Sequence, residues 1–396
     1  FQSKMIGRKM DLSMRSTIIP EQSMGLDEVG LPRKAAMEMY KPFVVRELVQ
    51  VFGYSPLQAQ LAVKKNDPVA VRALEEVVKK RPVLMKRDPS LHKHSIMAFN
   101  PTLVGGKAIR IHPLVTSGFN ADFDGDTTSI YVPLTEEAIE EARGMVPSNN
   151  LFSASSGGLM NLPGQEAQLG LYQLSKWGSP SKLTFATADE AMKAHKNGKL
   201  GISDVIVVGS SMITKTAGWW RSPRGVASFL PDEEDLIKTA GAVTTTVGRL
   251  MLANCFPAGS SEGQRVLTDK TLVLESRAVA QLLTGMAKRD PKGFSVTVNK
   301  LNQLGNKYTY DTGFSFSLED VLSRPEIRDK HFATADRKAL ELQKGGKSRD
   351  ESVIEAYMTA LNAIDVEGKA KMEKSDNRMY EMVRSGARGN WDQFKQ

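Results

Sequence analysis

A single cysteine, Cys255, stands among the 396 residues. That scarcity excludes an intramolecular disulfide and any zinc site built from cysteines alone, and it fits a chain that works in a reducing cytoplasm. Long apolar runs are also missing. No window approaches the roughly 20 apolar residues that a membrane span requires, so no membrane contact is expected. No succession of charged, apolar and small residues marks a secretory leader, and the chain opens on Phe1 rather than methionine, so the true start is expected to lie elsewhere. No repeat recurs at a solenoid period.

What is present is an ordinary apolar fraction of 41% and a basic balance, 53 Lys plus Arg against 45 Asp plus Glu, giving +8 and a pI near 9.3. A basic surplus suits a polyanionic partner, although a merely basic protein would show the same. The length allows two or three domains, each with its own core. Residues 1–80 open on a basic, Met-rich stretch and continue through apolar spacings such as "AAMEMYKPFVVRELVQVF" and "VAVRALEEVVKK", which predict helices broken at Gly53 and Pro56. In residues 81–147 the period shortens. "PVLMKR", "SIMAFNPTLV", "KAIRIHPLV" and "SIYVPLT" are brief β-rich runs that predict a compact barrel, followed by a helix with Thr135 as N-cap and Glu137 near its start. Residues 148–235 read as mixed, with a strand at "DVIVVG". Residues 236–396 read as mainly helical, including "LIKTAGAVTTTVGRLMLANCF", with a very polar stretch over 330–384. The class predicted is α+β.

One loop breaks the pattern. In "TSGFNADFDGDTTSIYVPL" three carboxylates, Asp122, Asp124 and Asp126, alternate with Phe123 and Gly125 between apolar β runs. In an extended strand the outer two would stand about 13 Å apart, whereas oxygens around one Mg²⁺ lie within roughly 4 Å of one another. The segment must therefore curl, and Gly125 permits it because it lacks the Cβ that penalises positive φ. Converging carboxylates repel, and hard oxygen donors favour Mg²⁺ or Ca²⁺ as the relief. An EF-hand is excluded, since the sixth and twelfth positions from Asp122 hold Thr127 and Pro133. A solvated acidic turn is the bland alternative. His92, His94 and His112 lack metal-pair spacing and read as structural.

"NADFDGD", residues 120–126, matches all seven letters of the metal-binding signature of the largest catalytic, β′-type subunit of multisubunit RNA polymerases, and the chain resembles that family over nearly its whole length. "GRKMDLSMRS" resembles the switch-2 segment, "GLPRKAAMEMYKPFV" the helix after it, and "RPVLMKRDPSLHK" and "GKAIRIHPLV" strands of the double-psi β-barrel. "SNNLFS", "GQEAQLGLYQL" and "TTTVGR" look like landmarks after the barrel, and "SGARGN" looks like the loop beside the substrate channel, in a helical region similar to the funnel. No cysteine-rich clamp site precedes the match, and no bridge helix or trigger loop follows it. The arrangement resembles the central piece of a split β′ subunit, as in the polymerases of phiKZ-like giant phages, and a host cytoplasm would then be its place of work.

The resemblance implies Mg²⁺-dependent nucleotidyl transfer by a two-metal mechanism, with Asp122, Asp124 and Asp126 holding the permanent ion and a second ion arriving with the NTP. It implies that Arg87 and Asn120 touch the incoming ribose hydroxyls, that Arg388 contacts the triphosphate, and that Arg8, Lys9 and Arg15 meet template or hybrid phosphates. The partners implied are a β-type subunit with a second, lysine-bearing barrel, chains carrying clamp, bridge helix and trigger loop, the DNA template, the RNA transcript and NTPs. Met14, Lys86 and Asp88 depart from the family, which usually has Gly, Asn and Ala there. Two other readings compete: a non-catalytic nucleic-acid-binding scaffold that keeps the barrel, and a one-chain polymerase with two barrels.

Overall fold

The computed structural model describes residues 11–209, 242–321, 325–375 and 377–391. Six strands, β1 (Ser13–Pro20), β2 (Glu28–Pro32), β3 (Val83–Lys86), β4 (Ile96–Val104), β5 (Ile109–Ile111) and β6 (Thr127–Tyr131), close into a barrel. Their order around it is β1-β5-β2-β4-β3-β6, with β1–β5 and β2–β4 parallel and the other pairs antiparallel. Alternate side chains fill the lumen, as the two-residue period of a strand dictates. Val83 and Met85 of β3, Met97 and Phe99 of β4, Ile109 and Ile111 of β5 and Ile130 of β6 are all buried. The fold is α+β with a barrel core, as the sequence predicts.

The barrel is not confined to residues 81–147, where its β runs were expected. Two of its six strands come from the N-terminal segment. Only Ile18 of β1 is buried, and the exposed Arg15 and Thr17 leave no apolar alternation to detect. β2 is buried on both faces and carries Gly30 and Pro32, residues that in isolation signal a turn.

Between β2 and β3 the chain inserts four helices, α1 (Arg33–Met39), α2 (Lys41–Gln50), α3 (Pro56–Lys65) and α4 (Pro68–Lys80), whose apolar faces join the barrel in one core. The break at Pro56 is a capping box: Ser55 accepts from the Gln58 N–H while the Gln58 side chain accepts from the Ser55 N–H. A short α5 (Thr116–Phe119) precedes the aspartate loop, and α6 (Glu136–Gly144) follows β6. Thr135 caps α6, accepting from the Ala138 N–H at 3.2 Å, with Glu136 and Glu137 in the first turn.

Beyond the barrel lie α7 (Gln165–Ser175), α8 (Ala188–Lys196), α9 (Val247–Ala253), α10 (Ser261–Thr268), α11 (Ser276–Arg289) and the long α12 (Pro291–Thr312). β7 (Pro180–Phe185), β8 (Val205–Val208) and β9 (Val243–Thr246) form a second sheet in that order. "DVIVVG" thus supplies β8. "TTTV", expected within a helix, supplies β9 up to Thr246, because three β-branched threonines favour the extended state. The preceding "LIKTA" lies outside the described residues. Arg249 at the start of α9 is 1% exposed, and its guanidinium donates to the carbonyls of Ser175, Val266, Asp269 and Leu272, so four of its five N–H groups are hydrogen-bonded.

α7 and α12 cross in backbone contact. A Cβ placed on Gly170 would fall 2.2 Å from the Gly305 carbonyl oxygen, and one on Gly305 would fall 2.2 Å from that of Ala167. The chain continues through α13 (Leu318–Val321) into a helical hairpin of α14 (Pro325–Lys344) and α15 (Arg349–Lys374), then α16 (Arg378–Ser385). Small buried residues, Ala335, Ala339, Ala356 and Ala360, line the hairpin seam. Among the described residues no helix is long and apolar enough to cross a membrane.

Candidate metal centre

The aspartate loop hangs between two elements that fix its ends. α5 stops at Asn120, whose φ of 47° and ψ of 47° place it in the left-handed region that asparagine tolerates. At the far end β6 begins at Thr127, and the Ile18 N–H donates to the Asp126 carbonyl at 3.0 Å, which seats the loop on β1. Between these anchors Gly125 adopts φ 127° with open space where a Cβ would stand. The curl required by a shared cation is therefore made at the glycine that the sequence singles out.

The curl brings one oxygen from each of Asp122, Asp124 and Asp126 within 4.8 Å of the others. That is slightly wider than the roughly 4 Å span of ligands around one Mg²⁺, a gap that small side-chain rotations close. The donor set is all carboxylate and exposed to solvent on two of its three members, so it fits a hard divalent cation. Arg87, Asn120, Thr116, Ser117 and Ala121 complete an open pocket of about 380 Å³ around the carboxylates.

The three aspartates are not equivalent. Arg87, just after β3, forks onto Asp126, with Nε donating to Oδ2 at 3.0 Å and Nη2 to Oδ1 at 3.1 Å, while Nη1 donates to the Phe119 carbonyl at 3.4 Å. The Asp122 backbone N–H also donates to Asp126 Oδ2, at 3.1 Å. The Arg87 guanidinium, helped by that N–H, holds the Asp126 carboxyl below the usual carboxylate range. Among the described residues no cation pairs with Asp124. Its hydrogen bond to Asp122 and the charge of Asp122 push its pKa above the usual range. Repulsion within the cluster thus falls on Asp124, while Asp126 stays ionised.

Of the other residues singled out from the sequence, Arg15 comes closest to the loop. On β1 it donates from Nε and Nη2 to Thr127 Oγ1, at 3.1 and 3.0 Å, one residue beyond Asp126. Arg388 lies in the exposed turn after α16, and among the described residues no contact joins it to the aspartates. Arg8 and Lys9 lie outside the described residues. Two features escape the sequence: the Arg87–Asp126 fork, between residues 39 apart, and an ion pair between Lys86 and Asp88 at 2.8 Å. Opposite charges at Lys86 and Asp88, on either side of Arg87, were the signal for the second.

Behind the loop, His112 connects the site to α12. Its Nδ1 accepts from the Leu114 N–H at 3.1 Å, so Nε2 carries the proton and donates to Asn299 Oδ1 at 2.9 Å. Burial pushes its pKa down to about 4. The folded chain then binds fewer protons than the unfolded one between about pH 6.5 and 4. Stability from this group is present above that window and is lost as pH falls through it, by at most about 3 kcal/mol. Urea unfolding midpoints at pH 7 and pH 4.5 check this: the loss in the native chain should exceed that in His112→Gln, and equal losses would remove the group from the account.

A six-stranded barrel that presents three converging carboxylates beside an anchored arginine defines a barrel protein with a cluster fit for a hard divalent cation. Sequence comparison narrows the class. Residues 54–147, which contain the whole loop, match the family model described as RNA polymerase Rpb1, domain 2. Over its full length the chain is 33% identical to the DNA-directed RNA polymerase subunit beta′ of Salinispora arenicola and 32% identical to that of Chlorobium luteolum, covering 30% and 27% of those proteins. The chain belongs to the β′-type family of RNA polymerase large subunits. It spans about 30% of the length of the curated relatives it matches.

Proposed function

We propose that this chain carries the metal-binding side of a DNA-directed RNA polymerase active site and takes part in adding nucleotides to an RNA 3′ end. The observation that carries the proposal is the curled loop, in which three carboxylates converge within 4.8 Å in a chain related throughout to β′ subunits. Asp122, Asp124 and Asp126 would hold Mg²⁺. When bound, divalent ions lower the pKa of an attacking hydroxyl and neutralise charge on the phosphates of the leaving group.

The remaining roles belong to this chain's own donors. Arg87 engages Asp126 and Phe119 with three of its five N–H groups, which leaves two to donate to the ribose hydroxyls of an incoming NTP. Asn120, exposed at the rim of the same pocket, offers an amide to the same hydroxyls, and a donor aimed at the 2′-OH separates ribonucleotides from deoxyribonucleotides. Arg15, with Arg8 and Lys9, would meet template or hybrid phosphates, a role that needs charge and little sequence information. Arg388 would reach the triphosphate. A β-type subunit would supply the facing barrel, and other chains or segments the clamp, bridge helix and trigger loop.

Primer extension tests the reading. Co-assembled with its partner subunits, the chain should extend an RNA primer on DNA with an absolute need for Mg²⁺ or Mn²⁺; by itself, with only one of the two barrels, it should not. Metal-independent extension by the complex would end the proposal, and robust extension by the chain alone would favour a one-chain polymerase.

A further inference from the structure

Arg87 and the metal reading above, on which this inference rests, compete for one carboxylate. Asp126 Oδ2 already accepts from Arg87 Nε and from the Asp122 N–H, which uses both of its lone pairs. Oδ1 accepts from Arg87 Nη2 and keeps one. We propose that Arg87 is a built-in counter-cation that shares Asp126 with the metal, restricts that ligand to Oδ1, and sets the metal affinity of the site lower than three free carboxylates would give.

Charge and geometry agree on this. Three carboxylates and one guanidinium carry −2, and without the guanidinium they would carry −3, so the cation offsets a third of the attraction that a divalent ion would find. The fork is also the best-buried part of the cluster, with Arg87 and Asp126 side chains 18% and 22% exposed, where screening by water and salt is weaker than at Asp122 and Asp124. Arg87 is in this sense a positioning residue for Asp126 as well as a donor to substrate.

The test reads metal occupancy directly, in the complex assembled with the full chain. Hydroxyl radicals are generated with peroxide at rising Fe²⁺ without Mg²⁺, and the Fe²⁺ concentration that gives half-maximal cleavage of the chain near residues 116–134 is the midpoint. In Arg87→Gln, which removes the charge at similar length, the Fe²⁺ midpoint should fall by about tenfold, whereas Arg87→Lys, which keeps the charge and loses the fork, should stay within about threefold of the native complex. An unchanged or raised midpoint in Arg87→Gln overturns the proposal, and so does a fall in Arg87→Lys equal to that in Arg87→Gln, because charge would then not be the cause. Asp126→Ala serves as the separate control: if local cleavage persists without that carboxylate, the metal reading itself fails, whatever the arginine variants do.

Discussion

Asp124→Ala should cut RNA primer extension by the assembled polymerase by on the order of a thousandfold or more, since loss of a metal ligand removes several kcal/mol of transition-state stabilisation. The same substitution should leave folding and assembly intact. Asp124 is exposed, and its carboxylate is turned toward Asp122 rather than toward any core group. Removing it relieves repulsion, so the thermal midpoint of the chain should be unchanged or slightly raised. Extension at close to the native rate would sink the assignment of the triad. Partial recovery at high Mn²⁺ would leave it standing, because a softer ion tolerates a poorer oxygen set.

The largest effect on stability is expected far from the chemistry, at the crossing of α7 and α12. Gly170→Ala or Gly305→Ala would set a methyl group 2.2 Å from a backbone oxygen of the facing helix, and neither partner is a side chain that can swing away. The helices would have to separate by about an ångström or more, at a cost at or beyond the top of the ~1–3 kcal/mol range of overpacking changes. α12 also carries Asn299, the partner of His112 behind the aspartate loop, so the damage should reach the site. Chemical denaturation of each variant gives the measurement. A stability within about 0.5 kcal/mol of the native chain, the usual range of harmless surface changes, would refute the close-contact account.

The site was more legible than the scaffold that holds it. Seven consecutive residues, 120–126, carry the three clustered carboxylates, the left-handed Asn120 and the turning Gly125, and all of that information is local. β3, β4, β5 and β6 announce themselves through short apolar runs between turn residues. β1 does not, because on that strand only one of eight side chains is buried and its stability comes from ladders to β5 and β6, about a hundred residues away. The polar stretch over 330–384 became α14 and α15 because their seam is lined by alanines, which read as weakly apolar in a composition dominated by charge. The fork from Arg87 to Asp126 was invisible for the same reason as β1: nothing in either local sequence names its partner, and only closure of the barrel brings them together.

That closure has a consequence for the order in which the protein is made. β1 and β2 leave the ribosome before the rest of the barrel, and their sheet partners β4, β5 and β6 follow only after the four inserted helices. From Pro20 to Ile109 the growing chain must add 89 residues, which at typical synthesis rates takes on the order of 5 to 20 s. β2 lacks a neighbour until β4 is made and β1 until β5 is, while α1 to α4, whose contacts are local, are free to form. The nascent chain therefore passes through a stage with helices built and strand edges bare, open to capture by a chaperone or by another chain. The aspartate loop takes shape only when the last strand, β6, joins β1 and ends that exposure.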